Sequence, residues 1–400
     1  MIISKRIALC FFVAATAALI GCSSGSSDSG ESIGDANADN TTPVIVDGIT
    51  STSRAVAFSY SMEAVQGGTS QADALLFEPM GDAPADGHPL VVWAHGTTGI
   101  ANACAPSSDP SRLLNTDAIE QLVSAGYAVL VPDYEGFGTD TIHPYYLRDS
   151  HANAILDAVP AAHAIAGSTL SDDWAIVGHS QGGHVALATA RATQDPAYPL
   201  AAVVALAPGT DARAVSDAQF DAIDAHLASG EVQIAAERVF YLNVYGAFLA
   251  KAAALVVPDF EPTSVFGGTI ASLIHIASEE DSCGSYAEAV TDALSTHLSN
   301  GGSPVDFDGL RRDWYNSEAL GNHLEAERLE DEAQEAPLLI VQGDADRQIP
   351  LAATDSFVNS QLALGTNVTY EVIVGGRHGD PGRQDFGLTL TWLEAQFPPR

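Results

Sequence analysis

The sequence predicts an α/β fold with a mostly parallel central sheet flanked by helices, and with a largely helical cap inserted between later strands. Apolar runs of strand length recur along the chain, and helical patterns separate the later ones, as in a parallel sheet. The strand signals stop between residue 211 and about residue 335, where the pattern becomes helical and acidic. The predicted strands are Ala55–Tyr60, Ala74–Phe77, Leu90–Ala94, Ala128–Val131, Trp174–Val177, Ala201–Leu206, Leu338–Gln342 and Thr369–Val374.

Residues 1–21 are predicted to be a targeting segment of the lipoprotein type. Lys5 and Arg6 precede an apolar stretch, residues 7–20, that is short for a membrane span. The segment ends in Leu-Ile-Gly-Cys, similar to a bacterial lipobox, which would make Cys22 the lipidated N-terminus of the mature protein. Ordinary signal cleavage is the alternative. Because Ser23 and not Asp follows the cysteine, the lipoprotein interpretation implies the cell envelope, in the outer membrane or periplasm.

Residues 22–43 are predicted to be a flexible tether. They are mostly Ser, Gly, Asp, Asn and Thr, a composition that cannot bury a core. About 20 such residues would reach roughly 25 Å from a membrane surface. Residues 44–400 exceed the usual length of one compact domain. The strand pattern favours one domain with a cap insertion at about 211–335.

The charge balance limits the partners. The chain carries 51 acidic and 16 basic residues, a net charge of −35, and the loss of Lys5 and Arg6 would make it more negative. Nucleic acid is therefore not an expected partner. Lys251 is the only lysine left after that loss, which suggests a saline habitat or a genome that uses little lysine.

Residues 174–183 predict a serine in a tight turn between a buried strand and a helix. An apolar run ends in Gly-His-Ser-Gln-Gly centred on Ser180, and glycines two residues on either side let strand and helix pass closely. Ser180 is therefore the candidate nucleophile, with an ordinary tight turn as the alternative. The same pattern at Gly21–Gly25 follows the targeting segment and lacks a strand, a helix and partners.

Candidate partners for Ser180 follow two predicted strands. A serine hydroxyl needs a base, and the base needs a carboxylate to hold its tautomer. Asp344 and Asp346 follow the strand Leu338–Gln342, and His378 follows Thr369–Val374. The order serine, acid, histidine and the positions after strands favour a triad. Because the chain has 12 histidines, a solvated loop histidine is the alternative for His378.

Several segments in combination resemble a known superfamily. Beside the serine, acid and histidine segments, they are residues 95–99 (His-Gly-Thr-Thr-Gly), 104–107 (Cys-Ala-Pro-Ser), 132–138 (Pro-Asp-Tyr-Glu-Gly-Phe-Gly) and 143–145 (His-Pro-Tyr). The chain is similar here to the α/β-hydrolase superfamily, and within it to the secretory lipase-like esterases of bacteria and fungi. The resemblance covers roughly residues 44–400 and is weakest in the cap.

The resemblance implies an α/β-hydrolase fold and a catalytic triad of Ser180, Asp346 and His378. The family's Gly-x-x-Asp-x-x-hydrophobic-Pro pattern falls on Asp346 and not on Asp344. The implied activity is that of a serine carboxylic ester hydrolase, an esterase or lipase that works through an acyl-enzyme. A small-molecule or lipid ester would be the substrate.

The resemblance also implies an oxyanion hole. Its donors would be the backbone N–H groups of Thr97 and Gln181, with Thr98 as the alternative to Thr97. His95 is expected to be structural, and His179 a packing or orienting residue. No metal or phosphate-loop motif is present, so we expect no cofactor and no metal.

Two other function classes stay open. A prolyl-peptidase-like hydrolase shares the order of the triad, but fewer than about 50 residues lie between the tether and the His-Gly strand, too few for propeller blades of about 40 residues each. A surface adhesion lipoprotein on the same fold would need no catalysis, yet no candidate triad residue is missing. The oligomeric state is not indicated.

Cys104 and Cys283 are the cysteines that remain if Cys10 leaves with the targeting segment and Cys22 carries lipid. An exported compartment permits a disulfide between them, and two free thiols are the alternative. We expect the bond to tie the loop after the oxyanion segment to the cap.

The apolar segment Val239–Val257 is the candidate wall of the substrate pocket, with Tyr245 and Phe248 as lining residues. A buried helix that only packs the cap onto the sheet is the alternative. A membrane span is a poor interpretation, because Asn243 and Lys251 interrupt the run and a span would separate strands of one sheet. A pocket wall predicts a preference for medium-chain over acetyl esters.

Overall fold

A computed structural model describes residues 33–192, 195–279, 283–383 and 386–400. The predicted targeting segment 1–21, the predicted lipidation site Cys22 and the first part of the predicted tether lie outside the described residues. The described residues cluster into one compact unit.

A nine-stranded sheet forms the centre, in the order β1-β2-β3-β5-β4-β6-β7-β8-β9. Pairing is parallel from β5 to β9 and antiparallel among β1, β2, β3 and β5. The apolar strands β4 and β5 are buried along their whole length, as expected for a parallel sheet covered on both faces. The strands are β1 (Ala36–Pro43), β2 (Thr52–Glu63), β3 (Thr69–Pro79), β4 (His88–Ala94), β5 (Ala128–Pro132), β6 (Leu170–His179), β7 (Leu200–Leu206), β8 (Leu338–Gly343) and β9 (Val368–Ile373).

Helices cover both faces of the sheet. Side chains of α2, α3 and α9 share one buried cluster with the sheet, and α1 and α10 share another on the opposite face. The helices of the described residues are α1 (Thr116–Ser124), α2 (Arg148–Ala166), α3 (Gln181–Arg191), α4 (Ala212–Ala228), α5 (Val232–Val256), α6 (Gly268–Leu273), α7 (Ser285–Ser299), α8 (Glu318–Ala326), α9 (Leu351–Leu364) and α10 (Phe386–Gln396).

The predicted fold class is confirmed: the sheet is mostly parallel, helices flank it, and a helical cap lies between later strands. One part of the chain differs from the prediction. Ala36–Pro43, expected in the flexible tether, forms the edge strand β1, which pairs antiparallel with β2. Its polar composition leaves most of its side chains exposed, but an edge strand needs only the backbone hydrogen bonds of its neighbour and not a buried face.

The cap consists of α4 to α8, between β7 and β8, and has its own buried cluster. It begins at Asp211, whose carboxylate accepts hydrogen bonds from the N–H groups of Arg213 and Ala214 and so caps α4. Its longest helix, α5, has 25 residues.

Helix α5 is also long and apolar enough to cross a membrane, with a mean hydropathy of 1.6. Just over half of that apolar stretch, 56%, is buried inside the protein. Within it the Asn243 side chain donates to the Val239 carbonyl and accepts from the Leu310 N–H. These contacts identify α5 as the core helix of the cap.

Candidate active site

Ser180 lies in a strained turn between β6 and α3. Its φ is 59° and its ψ is −116°, a region that non-glycine residues rarely occupy. A Cβ at Gly178 would meet the Gly182 backbone, and one at Gly182 would meet the carbonyl of Ala94 on β4. The two glycines therefore allow the close approach that presents Ser180 at the edge of the sheet.

His378 and Asp346 form a hydrogen-bonded pair at the ends of two neighbouring strands. His378 Nδ1 donates to Asp346 Oδ2 at 2.7 Å, and both residues are buried. Asp346 belongs to the segment Gly343–Pro350 between β8 and α9, which we call the acid loop. A neutral imidazole that donates through Nδ1 keeps an acceptor lone pair on Nε2.

The Asp346 carboxylate is fully hydrogen-bonded. Besides His378, the Gln342 side chain donates to Oδ2 at 2.9 Å, and the N–H groups of Gln348 and Ile349 donate to Oδ1 at 2.7 and 2.9 Å. Burial raises the pKa of Asp346, but the interaction with His378 and the loop N–H bonds outweigh it, so the pKa lies below its ordinary value. The carboxylate is thus held ionised at neutral pH.

Asp344 has a different role. It is exposed, and its carboxylate accepts a hydrogen bond from the Gly375 N–H at 2.6 Å. It joins the acid loop to the loop that carries His378. The structure therefore pairs His378 with Asp346 and not with Asp344.

His179, beside Ser180, ties the nucleophile turn to the histidine loop. Its Nε2 donates to the carbonyl of His378 at 2.8 Å, and the two rings lie 5.0 Å apart. Burial lowers the pKa of His179 to about 3, so the ring stays neutral. The hydrogen bond from His179 thus ties the backbone of His378 to the residue that directly precedes Ser180.

The backbone N–H groups of Thr97 and Gln181 lie on two segments that meet at Ser180. A Cβ at Gly96, next to Thr97, would lie 3.7 Å from Ser180 Cβ, and Gln181 begins α3. Among the described residues, neither N–H has a protein acceptor.

Side chains fix both residues. Thr97 Oγ1 lies 2.9 Å from the hydroxyl of Tyr145, and Gln181 Nε2 donates to His143 Nε2 at 2.6 Å. His143 is buried and neutral, because burial lowers its pKa to about 3. Its Nδ1 donates to the Glu135 carbonyl, which leaves Nε2 free to accept from Gln181.

His95 packs inside the protein. Its ring stacks on Tyr134 at 4.2 Å, the Tyr134 hydroxyl donates to the His95 carbonyl, and burial lowers the pKa of His95 to about 4. The neighbouring Asp133 accepts hydrogen bonds from the Ser107 N–H and hydroxyl. These contacts join the segments around residues 95, 107 and 133 into one buried support.

A mostly apolar cleft opens beside Ser180, under the cap. Tyr245 lines it together with Leu249. Phe248, the other predicted lining residue, is not part of this wall, and its ring packs against Tyr145, Tyr245 and Tyr286 within the cap core. Successive residues of an α-helix point about 100° apart. Phe248 directly precedes Leu249, so its ring faces the core where Leu249 faces the cleft.

Cys104 and Cys283 form a disulfide, with their Cα atoms 5.3 Å apart. The bond joins the loop that follows the His-Gly segment to the start of α7 in the cap. Gly99 lies directly against it, and a Cβ there would meet the Cys104 sulfur.

No group of three or more metal-ligating side chains occurs in the part of the chain that the structure describes.

The structure brings polar residues to the acid loop that the sequence did not identify. Gln219 on α4 and Arg238 on α5 are buried and contact the loop backbone. The one signal in the sequence is Arg238 within the largely apolar helix α5, which also carries Glu237, Asn243 and Lys251. It does not indicate what the arginine contacts.

Comparison with protein families found a match over residues 91–385 to the model of the alpha/beta hydrolase family. A comparison with curated proteins found no match.

Solved structures share the fold. The rice cell wall degrading esterase LipA from Xanthomonas oryzae is 21% identical, with a TM-score of 0.63, over 86% of this chain and 90% of that one. Lipase A of Candida antarctica in its closed state is 15% identical, with a TM-score of 0.65, over 92% of this chain and 82% of that one.

Proposed function

Because the chain belongs to the alpha/beta hydrolase family, we propose that it is a serine hydrolase that cleaves carboxylic esters through an acyl-enzyme. One observation carries the proposal: His378 donates through Nδ1 to the ionised Asp346, and its backbone is bonded to the residue before Ser180. This arrangement supports a base whose free Nε2 serves the serine. The names of the esterase and lipase with similar structures support an ester as the substrate.

The proposed reaction begins with the attack of Ser180 Oγ on the ester carbonyl carbon. His378 Nε2 takes the hydroxyl proton, and Asp346 stabilises the imidazolium that forms. The carbonyl oxygen becomes an oxyanion, for which the N–H groups of Thr97 and Gln181 are the proposed donors. As the C–O bond to the alcohol breaks, His378 returns the proton to the departing oxygen and an acyl-Ser180 ester remains.

Water then releases the acid. His378 Nε2 takes a proton from the attacking water, and a second oxyanion forms at the same carbonyl oxygen. When the bond between the acyl carbon and Ser180 Oγ breaks, His378 gives the proton back to the serine. The enzyme returns to its starting state without a cofactor.

The apolar cleft beside Ser180 supports an acyl chain of medium length. Tyr245 and Leu249 form part of its wall, and each methylene that leaves water contributes up to about 0.8 kcal/mol until the cleft is full. Acetyl esters leave most of this wall without contacts. We propose medium-chain esters as the preferred substrates.

We further propose that the mature protein is a lipoprotein of the cell envelope. This rests on the segment Leu-Ile-Gly-Cys ending at Cys22. Cys22→Ser should release the protein from membranes or leave it unprocessed. An unchanged distribution between membrane and soluble fractions contradicts the lipid anchor.

Hydrolysis of p-nitrophenyl esters from acetate to palmitate tests the enzymatic proposal. The expected optimum is a medium chain, and Ser180→Ala should abolish turnover at every length. Activity that survives Ser180→Ala, or no activity in the wild type, contradicts the proposed function. Strict preference for acetate would retain a serine esterase but reject the acyl pocket.

A further inference from the structure

Three consecutive carbonyl groups of the acid loop face hydrogen-bond donors of the cap. The Gln219 side chain, on α4, donates to the carbonyls of Arg347 and Gln348 at 2.8 and 2.7 Å. Arg238, on α5, donates from Nη2 to the Asp346 carbonyl at 3.5 Å. Its Nη1 donates to Gln219 Oε1 at 2.8 Å. A guanidinium can only donate, so the oxygen of the Gln219 amide must face Arg238. The two N–H bonds of the amide then point to the acid loop.

The acid loop needs these donors because of how it binds its own carboxylate. The N–H groups of Gln348 and Ile349 both point to Asp346 Oδ1. Buried carbonyls of the same turn require donors from elsewhere. Only 1% of Gln219 and 8% of Arg238 is exposed, so bulk water has little access to replace them.

Packing alone does not account for Arg238. Among the described residues its guanidinium has no carboxylate within salt-bridge distance, and its buried Nε has no hydrogen-bond partner. A buried cation without a close counter-ion is costly, and an apolar side chain of similar size usually packs at lower free energy. Its favourable contacts are those to Gln219 and to the Asp346 carbonyl.

Side chains of the acid loop are bound to α5 as well. Arg347 pairs with Glu237 at 2.6 Å, and the Tyr245 hydroxyl donates to Gln348 Oε1 at 2.7 Å. Every residue from Asp346 to Gln348 thus contacts the cap. Helix α4 and the first part of α5 are thus joined to the acid loop by direct hydrogen bonds.

We propose that Gln219 and Arg238 are positioning residues, which hold the acid loop so that Asp346 keeps His378 in its productive orientation. This inference rests on the proposed function. It makes α4 and the first half of α5 a part of the catalytic framework, in contrast to a lid that lifts from it. Catalysis is sensitive to such support, because a shift of about 1 Å can cost roughly 100-fold in rate.

Gln219→Glu tests the donors specifically. The variant keeps the size and the oxygen that accepts from Arg238, but the neighbouring guanidinium keeps the new carboxylate ionised, so it cannot donate to the loop carbonyls. We expect kcat to fall about 10- to 100-fold, with KM within about twofold. Tyr286→Phe is the matched control. It removes a buried hydrogen bond to the Asn243 carbonyl in the same cap and should leave kcat unchanged.

Gln219 also lines the cleft beside Ser180, and the kinetic constants separate the two roles. A rise in KM at unchanged kcat would make Gln219 a substrate contact and overturn the inference. Wild-type kcat and KM in a folded Gln219→Glu protein would overturn it as well.

Arg238→Lys provides a second variant if Gln219→Glu does not fold. It keeps the cation, but a single nitrogen on a shorter side chain replaces the two guanidinium nitrogens that reach Gln219 and the Asp346 carbonyl, so kcat should fall about 10-fold. A folded Arg238→Lys protein with wild-type kcat overturns the inference.

The proton between His378 and Asp346 gives a readout that does not depend on turnover. Its ¹H resonance is assigned by its loss in His378→Ala. It should broaden or shift in Gln219→Glu and Arg238→Lys and stay unchanged in Tyr286→Phe. An unchanged resonance in both cap variants overturns the inference, even if the wild type proves to hydrolyse no ester. A wild type without activity but with the expected changes in resonance would reject the proposed function alone.

Discussion

The sheet and the cap contribute to the candidate site in different ways. Loops at the ends of parallel strands carry Ser180, Asp346 and His378, and the strand order β6-β7-β8-β9 brings these loops to one edge. The cap carries no member of the proposed triad. It supplies apolar wall for the cleft and polar side chains for the acid loop.

The proposed catalytic groups and the wall of the substrate cleft are held in place in different ways. Backbone ladders fix the strand ends, so the proposed catalytic groups depend on the sheet. The cap is held by side-chain packing, by polar contacts to the acid loop and by one disulfide. Changes in the sheet loops should therefore remove activity, and changes at Gln219 or Arg238 should lower kcat through the acid loop, whereas other changes in the cap interior should alter stability or chain-length preference.

The largest effect should come from the sheet loops. Ser180→Ala, His378→Ala and Asp346→Asn should each lower kcat/KM by about 1,000-fold or more without unfolding the protein, because triad members act as one unit. Steady-state hydrolysis of a p-nitrophenyl ester measures this. Asp344→Asn is the matched control and should have a small effect. If Asp344→Asn inactivates the enzyme and Asp346→Asn does not, the assignment of the acid is wrong.

Two adjacent cap residues sharpen the comparison. Phe248→Ala removes a buried ring from the cap core and should destabilise the protein by about 3–5 kcal/mol, while the chain-length profile stays as in the wild type. Leu249→Ala enlarges the cleft and should move the optimum to longer chains. Urea unfolding and the ester series measure the two effects. A changed profile in Phe248→Ala at full stability would place that ring in the substrate site.

A pH-dependent effect is expected beneath the sheet loops. Burial raises the pKa of Asp133 to about 7, against about 3.9 in an unfolded chain. Ionisation of Asp133 is therefore less favourable in the folded protein than in the unfolded chain, and it lowers the free energy of unfolding. This loss is absent below about pH 4, grows as the pH rises to 7, and can reach about 4 kcal/mol.

Asp133→Asn should remove this loss and keep an acceptor for the Ser107 N–H. Its free energy of unfolding should fall less than that of the wild type between pH 4 and pH 7, as urea titrations at several pH values would show. Parallel curves for the two proteins would mean that Asp133 ionises as easily in the folded state as in the unfolded chain.

The junction between sheet and cap should give the smallest effect. Replacing both Cys104 and Cys283 by serine should lower the free energy of unfolding by about 2–4 kcal/mol. Activity at low temperature should be retained, since neither residue belongs to the proposed triad. Thiol titration of the denatured, unreduced wild-type protein should find no reactive thiol at these positions. Two reactive thiols there would show that the protein lacks the disulfide.

Much of the sheet could be predicted because each strand carries its signal locally. Leu90–Ala94 and Trp174–Val177 are continuous apolar runs between turn residues, and they lie within β4 and β6. The edge strand β1 carried no such signal. Its residues are mostly polar, and pairing with β2 and contact with α2 order them, which no local pattern indicates.

The candidate site shows the same division. Ser180 and His378 each follow a strand in a recognisable turn, so their positions could be inferred from order and spacing. Helix α5 carries apolar side chains on every side and few polar ones, which gave no indication that Leu249 faces the cleft and Phe248 the core. Gln219 and Arg238 meet a loop more than 100 residues away, a contact that depends on how the cap folds back onto the sheet.

Active-site labelling tests the central claim, that Ser180 is the nucleophile of an acyl-enzyme, most directly. A p-nitrophenyl alkylphosphonate should transfer one phosphonyl group to the protein, and peptide mass spectrometry should place it on Ser180. Ser180→Ala should take up no label, and His378→Ala should react far more slowly. A label on the serines of residues 21–25, or no label on a folded and ester-hydrolysing protein, would contradict the account.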